Sequence, residues 1–201
     1  MNKWIMAGTA AAFTGAAAFA RSEYERIHLD IVHYDIKTDK LGLEWNGFKA
    51  VFLSDLHDNS FGMENEELLA AIEKEQPDIV VIGGDMLVVK EWAAPHFDML
   101  ANLYKKLVKR YPVYYAFGNH EQRMKEEPLT YPGWWQSYWK VLKDSGMHVL
   151  VNKSEEIIKN GTAMRISGIT LPRECYRKGR IPSLSAGYID KKIGKASDKK
   201  L

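Results

Sequence analysis

The sequence predicts an α/β fold in which parallel strands alternate with helices. Three patterns of a buried strand and two patterns of an amphipathic helix alternate between residues 47 and 117. Each of the three strands ends in polar residues that could bind a metal ion. Because parallel strands joined by right-handed crossovers present their carboxyl ends at one edge of the sheet, we expect these residues to converge there.

The first 26 residues form a segment of their own, ahead of a domain over residues 27–201. The run from Trp4 to Ala20 carries no charge and lies between Lys3 and Arg21. It has the minimum length for a membrane span, roughly 17 residues. An uncleaved anchor, a cleaved secretory signal ending in Ala18-Phe19-Ala20 and a soluble packing helix all fit this pattern. The first alternative predicts a membrane protein with an extracytoplasmic domain, and the second an exported protein.

Periodicity predicts the elements of the domain in order. Alternating apolar residues predict a first strand over residues 27–36. Buried strands are expected over 47–53, 79–82 and 112–117, with helices over 64–75 and 95–110 between them. Further along, we expect a helix over 134–146, a strand over 148–151, a hairpin over 154–169 that turns at Asn160-Gly161, and a helix over 182–193.

Composition and charge narrow the classes of function. Because Cys175 is the single cysteine of the 201 residues, internal disulfides and thiolate metal clusters are excluded, and a metal site would use His, Asp, Glu or Asn. Residues 173–201 contain nine Lys/Arg and three Asp/Glu, whereas the other residues contain 19 and 23. The basic residues are thus concentrated in a tail and not spread over a face, so we expect no nucleic-acid partner.

The three strand ends carry the motifs Asp55-Leu56-His57, Gly83-Gly84-Asp85 and Gly118-Asn119-His120-Glu121. Strand residues two apart point to the same side, so the first motif can direct both side chains to one ion. Carboxylate, imidazole and amide oxygens suit Mn, Fe, Zn or a similar divalent ion. Any one of these motifs is more often turn or capping chemistry. Their occurrence together, each after a strand, favours a metal site.

These motifs, in this order and separated by helix-sized gaps, resemble the first three motifs of the calcineurin-like metallophosphoesterases. Residues 54–62, behind an apolar amino-terminal run, are similar to the small bacterial membrane-associated branch of that family. The resemblance covers roughly residues 30–172. It implies the family's α/β/β/α sandwich, of which this chain would hold slightly more than the first half.

The resemblance also implies which residues bind metal. Asp55 and His57 would bind one divalent ion, Asp85 would bridge two ions, and Asn119 would bind the second. Such a dinuclear site would clamp phosphoryl oxygens and activate a hydroxide for in-line attack. The implied reaction is the hydrolysis of a phosphomonoester or phosphodiester substrate.

Roles in substrate binding or catalysis are predicted for two further residues in or near the third motif. By the resemblance, His120 would contact the scissile phosphate or protonate the leaving oxygen, and a carboxylate such as Asp58 would orient it. Arg123 lies just after the motif and could bind a substrate phosphate, although a plain surface charge is the alternative.

The family pattern requires later histidines, including a Gly-His-x-His motif, which this sequence lacks. Its six histidines are at positions 28, 33, 57, 96, 120 and 148, and none follows a glycine. We expect that the chain stops before the strands that carry the missing ligands, and that this piece binds metal weakly and has little activity. The alternative is a degenerate relative that acts as a membrane-anchored binding or scaffold protein.

An aromatic cluster stands apart from the motifs, at Trp134, Trp135, Tyr138 and Trp139. Its spacing favours the apolar face of one helix. The alternative is an exposed patch that rests on a membrane or accepts a lipid-like substrate.

Overall fold

A computed structural model describes residues 14–24, 27–177, 179 and 182–195 of the chain. Its centre is a parallel sheet of four strands whose spatial order follows the chain order. The strands are β1 (Ala50–Leu53), β2 (Ile79–Ile82), β3 (Val113–Tyr115) and β4 (His148–Val149). The helices are α1 (Glu66–Glu75), α2 (Phe97–Val108), α3 (Asn119–Glu126), α4 (Trp134–Ser145) and α5 (Tyr188–Ile193). Strands β5 (Lys153–Lys159) and β6 (Thr162–Gly168) form an antiparallel hairpin, and 3₁₀ turns occupy Leu43–Trp45, Met63–Asn65 and Arg173–Tyr176.

The main core lies between the helices and one face of this sheet. Helix α2 places Leu100, Leu103, Tyr104 and Leu107 on one face at the spacing of an amphipathic helix, and all four are fully buried. They belong to the same apolar cluster as alternate residues of β2 and β3. Burying one such side chain contributes roughly 1.5–3 kcal/mol to the free energy of unfolding. The packing of this helix face therefore holds β2 and β3, whose ends carry the second and third motifs, in place.

The other face of the sheet is covered by the hairpin. Ile79, Tyr114 and Leu150 form a second buried cluster, against which Ile157 and Ile166 of the hairpin pack. Phe52 at the β1 edge of this face stays 69% exposed. The sheet therefore has helices on one side and a two-stranded layer on the other.

The predicted α/β fold and most of its elements are confirmed. Every expected strand from residue 47 onward and the helices over 64–75, 95–110 and 134–146 are present, with ends shifted by a few residues. The hairpin turns at Asn160 and Gly161, whose φ angles of 52° and 82° are those of a tight hairpin turn. The helix expected over 182–193 is limited to α5, and α3 was not expected.

The aromatic cluster forms an apolar helix face, as favoured above. Tyr138 is fully buried, and Trp135 and Trp139 stack with ring centroids 5.4 Å apart. Both indoles meet the ring of Phe117 edge-on, at the end of β3. Helix α4 therefore packs directly behind the third motif.

The strand expected over residues 27–36 is wrong. These residues form no strand in the described structure, and Ile31, Val32 and Ile36 are 46%, 61% and 86% exposed. Alternation of apolar residues supplies one face of a strand, but a strand also needs a backbone partner. Within the described chain, β1 pairs only with β2, and its outer edge is free of any strand.

The membrane-anchor and secretory-signal interpretations concern residues 1–20, of which residues 1–13 lie outside the described part. Residues 14–24 are helical. Among the residues described, no helix combines the length and apolar character that crossing a membrane requires. The membrane association and the export of the chain stay predictions.

Candidate metal centre

The loops that follow β1 and β2 run side by side beyond the ends of the strands. Asp55 donates its backbone N–H to the carbonyl of Gly84 at 3.0 Å, and His57 donates to the carbonyl of Asp85 at 3.1 Å. A third bond joins Asp58 to Met86 at 3.1 Å. The parallel pairing of the sheet thus continues into the motifs, and this brings the first and second motifs together.

The backbone of both motifs is strained. Asp55, His57, Asp58 and Asp85 have φ angles between 51° and 58°, in the left-handed region that residues with a β-carbon rarely adopt. Each costs roughly 1–2 kcal/mol and persists only where the surrounding contacts hold it. Such residues cluster at functional sites, and three of these four, Asp55, His57 and Asp85, are candidate metal ligands.

Gly84 and Gly118 allow the second and third motifs to touch. A β-carbon on Gly84 would overlap the backbone nitrogen of Gly118 and lie 2.6 Å from its Cα. A β-carbon on Gly118 would lie 2.5 Å from the backbone nitrogen of Asp85. Only glycine permits this approach at either position, and it places Asn119 and His120 next to Asp85.

Asp55, His57 and Asp85 form one group of candidate ligands. Each offers one ligand atom, and these atoms lie within 4.8 Å of one another. His57 Nε2 is 3.5 Å from Asp55 Oδ1. Atoms bound to one ion at about 2.0–2.2 Å can be at most about 4.4 Å apart, so small side-chain shifts would close this group around an ion. Two carboxylates and an imidazole fit Mn, Fe or Zn.

The first two residues of α3 hold the carboxylate of Asp85. Asn119 Nδ2 donates to Asp85 Oδ2 at 2.7 Å, and the backbone N–H of His120 donates to Asp85 Oδ1 at 2.7 Å. Asp85 is nearly buried, whereas the side chains of Asp55 and His57 are 65% and 45% exposed. The structure therefore brings the four predicted ligands together, with Asp85 between the first motif and Asn119.

His120 is oriented by a backbone amide. Its Nδ1 accepts a hydrogen bond from the N–H of Val89 at 3.0 Å, so the neutral ring carries its proton on Nε2. Burial lowers the pKa of His120, the charge of Arg123 acts in the same direction, and Asp85 opposes them. The His57 ring lies edge-on at a centroid distance of 5.3 Å.

Asp58 does not take the orienting role expected of it. Its Oδ2 accepts from the N–H of Val88 at 2.8 Å, which is the amide next to the one that holds His120. A carboxylate would orient the ring by accepting a hydrogen bond from a protonated Nδ1, whereas here Nδ1 accepts from the amide of Val89. Asp58 instead fixes the loop that supplies this amide.

Glu121 is a central residue of the site to which no role was assigned from the sequence. Its carboxylate is fully buried and accepts four hydrogen bonds, between 2.7 and 3.2 Å. The donors are the backbone N–H groups of Gly118, Asp85 and Met86 and the hydroxyl of Tyr115. Burial raises the pKa of Glu121, whereas these donors lower it. The signal was present, because a glutamate three residues after a helix cap often bonds back to the cap.

A buried chain of tyrosines extends this network into the core. The hydroxyl of Tyr115 lies 2.7 Å from that of Tyr138, which lies 2.8 Å from that of Tyr104. All three are fully buried, and desolvation raises the pKa of each well above its ordinary value. The ligand loops are thus joined by neutral hydroxyls to α2 and α4.

Arg123 lies beside a cavity of about 370 Å³ that also reaches Asn119.

Two of the histidines to which no metal role was assigned form hydrogen bonds with glutamates away from the candidate metal centre. His33 bonds to Glu75 at 2.9 Å, and His148 bonds to Glu155 at 2.7 Å.

Comparison with known proteins agrees with this arrangement. The family model for calcineurin-like phosphoesterases matches residues 48–191, well over half of the chain. The chain is also similar to the uncharacterized metallophosphoesterase YkoQ of Bacillus subtilis (strain 168), with 32% identity over 117 residues. The similarity covers 58% of this chain and 41% of that protein, so the chain spans about two fifths of this curated relative.

Proposed function

The chain belongs to the calcineurin-like phosphoesterase family, and on this basis we propose that it is a metal-dependent phosphohydrolase whose metal site lies at these strand ends. The substrate would be a phosphomonoester or a phosphodiester. The observation that carries this proposal is the convergence of Asp55, His57 and Asp85 within 4.8 Å at the end of a parallel sheet. Divalent ions bound there would withdraw charge from phosphoryl oxygens and lower the pKa of a water molecule.

We assign the ligands as the family resemblance implies. Asp55 and His57 would hold one ion, Asp85 would hold both, and Asn119 would hold the second. The position of Asp85 supports this assignment, because it offers one oxygen to the group with Asp55 and His57, and its Oδ2 lies 2.7 Å from the side-chain amide of Asn119. The buried Glu121 keeps the loops of Asp85 and Asn119 at a fixed separation.

His120 acts on the substrate. Because Val89 occupies Nδ1, the neutral ring offers the Nε2 proton to a phosphoryl oxygen or to the leaving oxygen. The positive charge of Arg123, close enough to influence His120, would bind the same phosphate.

A binding or scaffold protein without turnover is the second candidate. The observation in its favour is the small ligand set: in the described structure, Asp55, His57 and Asp85 are the sole group of at least three His, Cys, Asp or Glu side chains able to hold one ion. A dinuclear site needs more ligands than this group and Asn119 provide. Weak metal binding without hydrolysis would distinguish this candidate from the enzyme.

The test combines metal binding with turnover. Purified protein is titrated with Mn²⁺ by calorimetry, and hydrolysis of an aryl phosphate is measured with and without Mn²⁺. We expect weak binding, slow Mn²⁺-dependent turnover, and loss of both in Asp85→Asn. Asp144→Asn is the matched control, since Asp144 pairs with Lys140 on the surface of α4.

Each result has a defined meaning. Metal-independent turnover, or Mn²⁺-dependent turnover that survives in Asp85→Asn, contradicts the proposed enzyme. Mn²⁺ binding that needs Asp85, without any turnover, supports the scaffold protein.

A further inference from the structure

A group of arginines lies beside the candidate metal centre. The cavity of about 370 Å³ is lined on one side by Asn119 and Arg123, at the start of α3. On the other side it is lined by the 3₁₀ turn that contains Arg173 and Tyr176, and by Arg177 just after it. Since Asn119 bonds directly to Asp85, the cavity opens next to the proposed ion sites.

The charge of this cavity favours an anion. Three arginines line it, against Glu174 as the single acidic residue. Arg173 forms an ion pair with Glu127, whereas Arg123 and Arg177 form none with any residue in the described ranges. Guanidinium groups bind phosphate with two parallel hydrogen bonds, and a concave surface strengthens their combined field.

The volume of the cavity exceeds what one phosphate needs. Sites for small organic ligands begin at about 300 Å³, so this cavity can hold a phosphate together with part of an organic group. If the scissile phosphate lies at the ions, the arginines of the turn are left for a different group of the same substrate.

We propose that Arg173 and Arg177 bind a second phosphate group of the substrate, which makes the substrate class an organic bisphosphate of which one phosphate ester bond is cleaved. This inference rests on the proposed function for the identity of the scissile phosphate. The turn at residues 173–176 therefore selects among phosphate esters and takes no part in the bond cleavage.

The first experiment measures anion binding without metal. The full chain in EDTA is titrated with inorganic pyrophosphate, with orthophosphate and with sulfate. We expect pyrophosphate to bind most tightly, and Arg177→Ala to weaken it about tenfold, since hydrogen bonds between charged groups are of that strength. Arg177→Lys should recover only part of the affinity, because lysine lacks the paired donors.

Two controls separate binding from structure. Arg110→Ala removes an arginine that pairs with Glu73 away from the cavity, and it should leave pyrophosphate binding unchanged. Glu127→Gln removes the ion pair of Arg173 but keeps its guanidinium. If Arg173→Ala weakens binding and Glu127→Gln does not, the arginine acts on the anion and not through the ion pair.

The second experiment uses turnover with Mn²⁺. Arg177→Ala should raise KM for an ester with a second phosphate several-fold and leave KM and kcat for a simple aryl phosphate unchanged. Equal effects on both esters, or pyrophosphate binding no tighter than sulfate, overturn the inference. A short single-stranded oligonucleotide that outcompetes pyrophosphate would also overturn it in favour of a nucleic-acid ligand.

Failure of the two proposals can be told apart. Arginine-dependent pyrophosphate binding in EDTA without any Mn²⁺-dependent turnover leaves the subsite standing and refutes the hydrolase. Mn²⁺-dependent turnover that is unchanged when Arg173 or Arg177 is replaced supports the hydrolase and refutes the subsite.

Discussion

Gly84→Ala is the sharpest test of how the candidate metal centre is built. In the native structure the φ of Gly84 is +92°, and its α-carbon faces the backbone of Phe117 and Gly118. The new methyl group would overlap Gly118 N and lie 2.6 Å from Gly118 Cα, whereas ordinary contacts begin at 3.4 Å. Gly118 N is the nearer of these atoms, so the second and third motifs would have to separate by at least about 1.5 Å.

This separation acts directly on Asp85. Its hydrogen bonds from Asn119 and His120, both 2.7 Å long, would lengthen to about 4.2 Å, which is beyond hydrogen-bond distance. Each bond to a charged group contributes about 1.5–3 kcal/mol, and the left-handed backbone adds roughly 1–2 kcal/mol of strain for alanine. For two such bonds and this strain together, we expect a loss of about 4–8 kcal/mol in the free energy of unfolding.

The assay is urea denaturation of Gly84→Ala beside Gly146→Ala. Gly146 has a similar φ of +83°, but nothing lies within 4 Å of its β-carbon position, so it measures the backbone strain alone. We expect Gly146→Ala to lose only about 1–2 kcal/mol and to keep its Mn²⁺ binding. Equal losses in the two variants, or full Mn²⁺ affinity in Gly84→Ala, would refute the account of the site given above.

Three further predictions concern stability. Glu121→Gln should lower the free energy of unfolding by about 2–4 kcal/mol, because an amide cannot accept all four buried hydrogen bonds. A urea midpoint within error of that of the native protein would show that the carboxylate is not needed. Tyr138→Phe should cost about 1–2 kcal/mol in the same assay, since it leaves two buried hydroxyls without their shared partner, and no loss would mean that the tyrosine chain contributes nothing. Arg110→Ala should leave the urea midpoint unchanged, because its ion pair is solvent-exposed, and a clear shift would contradict that.

The sequence was sufficient to predict that the candidate ligands lie close together. Asp55, His57, Asp85 and Asn119 each follow within four residues of the end of a strand with a clear apolar pattern, and the carboxyl ends of parallel strands lie at one edge of the sheet. Helix α3 was missed because Met124 is the one apolar residue among its eight, so it has no periodicity to read.

The parts that could not be predicted depend on contacts between distant segments. Glu121 takes its donors from residues up to 36 positions away, and the Arg173 turn reaches the site from beyond the hairpin. The strand predicted over residues 27–36 is absent from the described structure, and the reason is again a contact between distant segments. Its apolar alternation is local, whereas its backbone partner had to come from elsewhere in the chain.

The tyrosine chain makes the assembly of the site depend on a helix without ligands. All four proposed ligands have been synthesised once residue 119 leaves the ribosome, but Tyr138 belongs to α4, which follows later. Until α4 docks, Tyr115 lacks the hydroxyl that lies between it and Tyr104. A nascent chain that ends before residue 134 would hold all four proposed ligands, yet its metal affinity should rise only when α4 is added. Arrested chains of increasing length would therefore acquire metal binding about one helix after their last ligand.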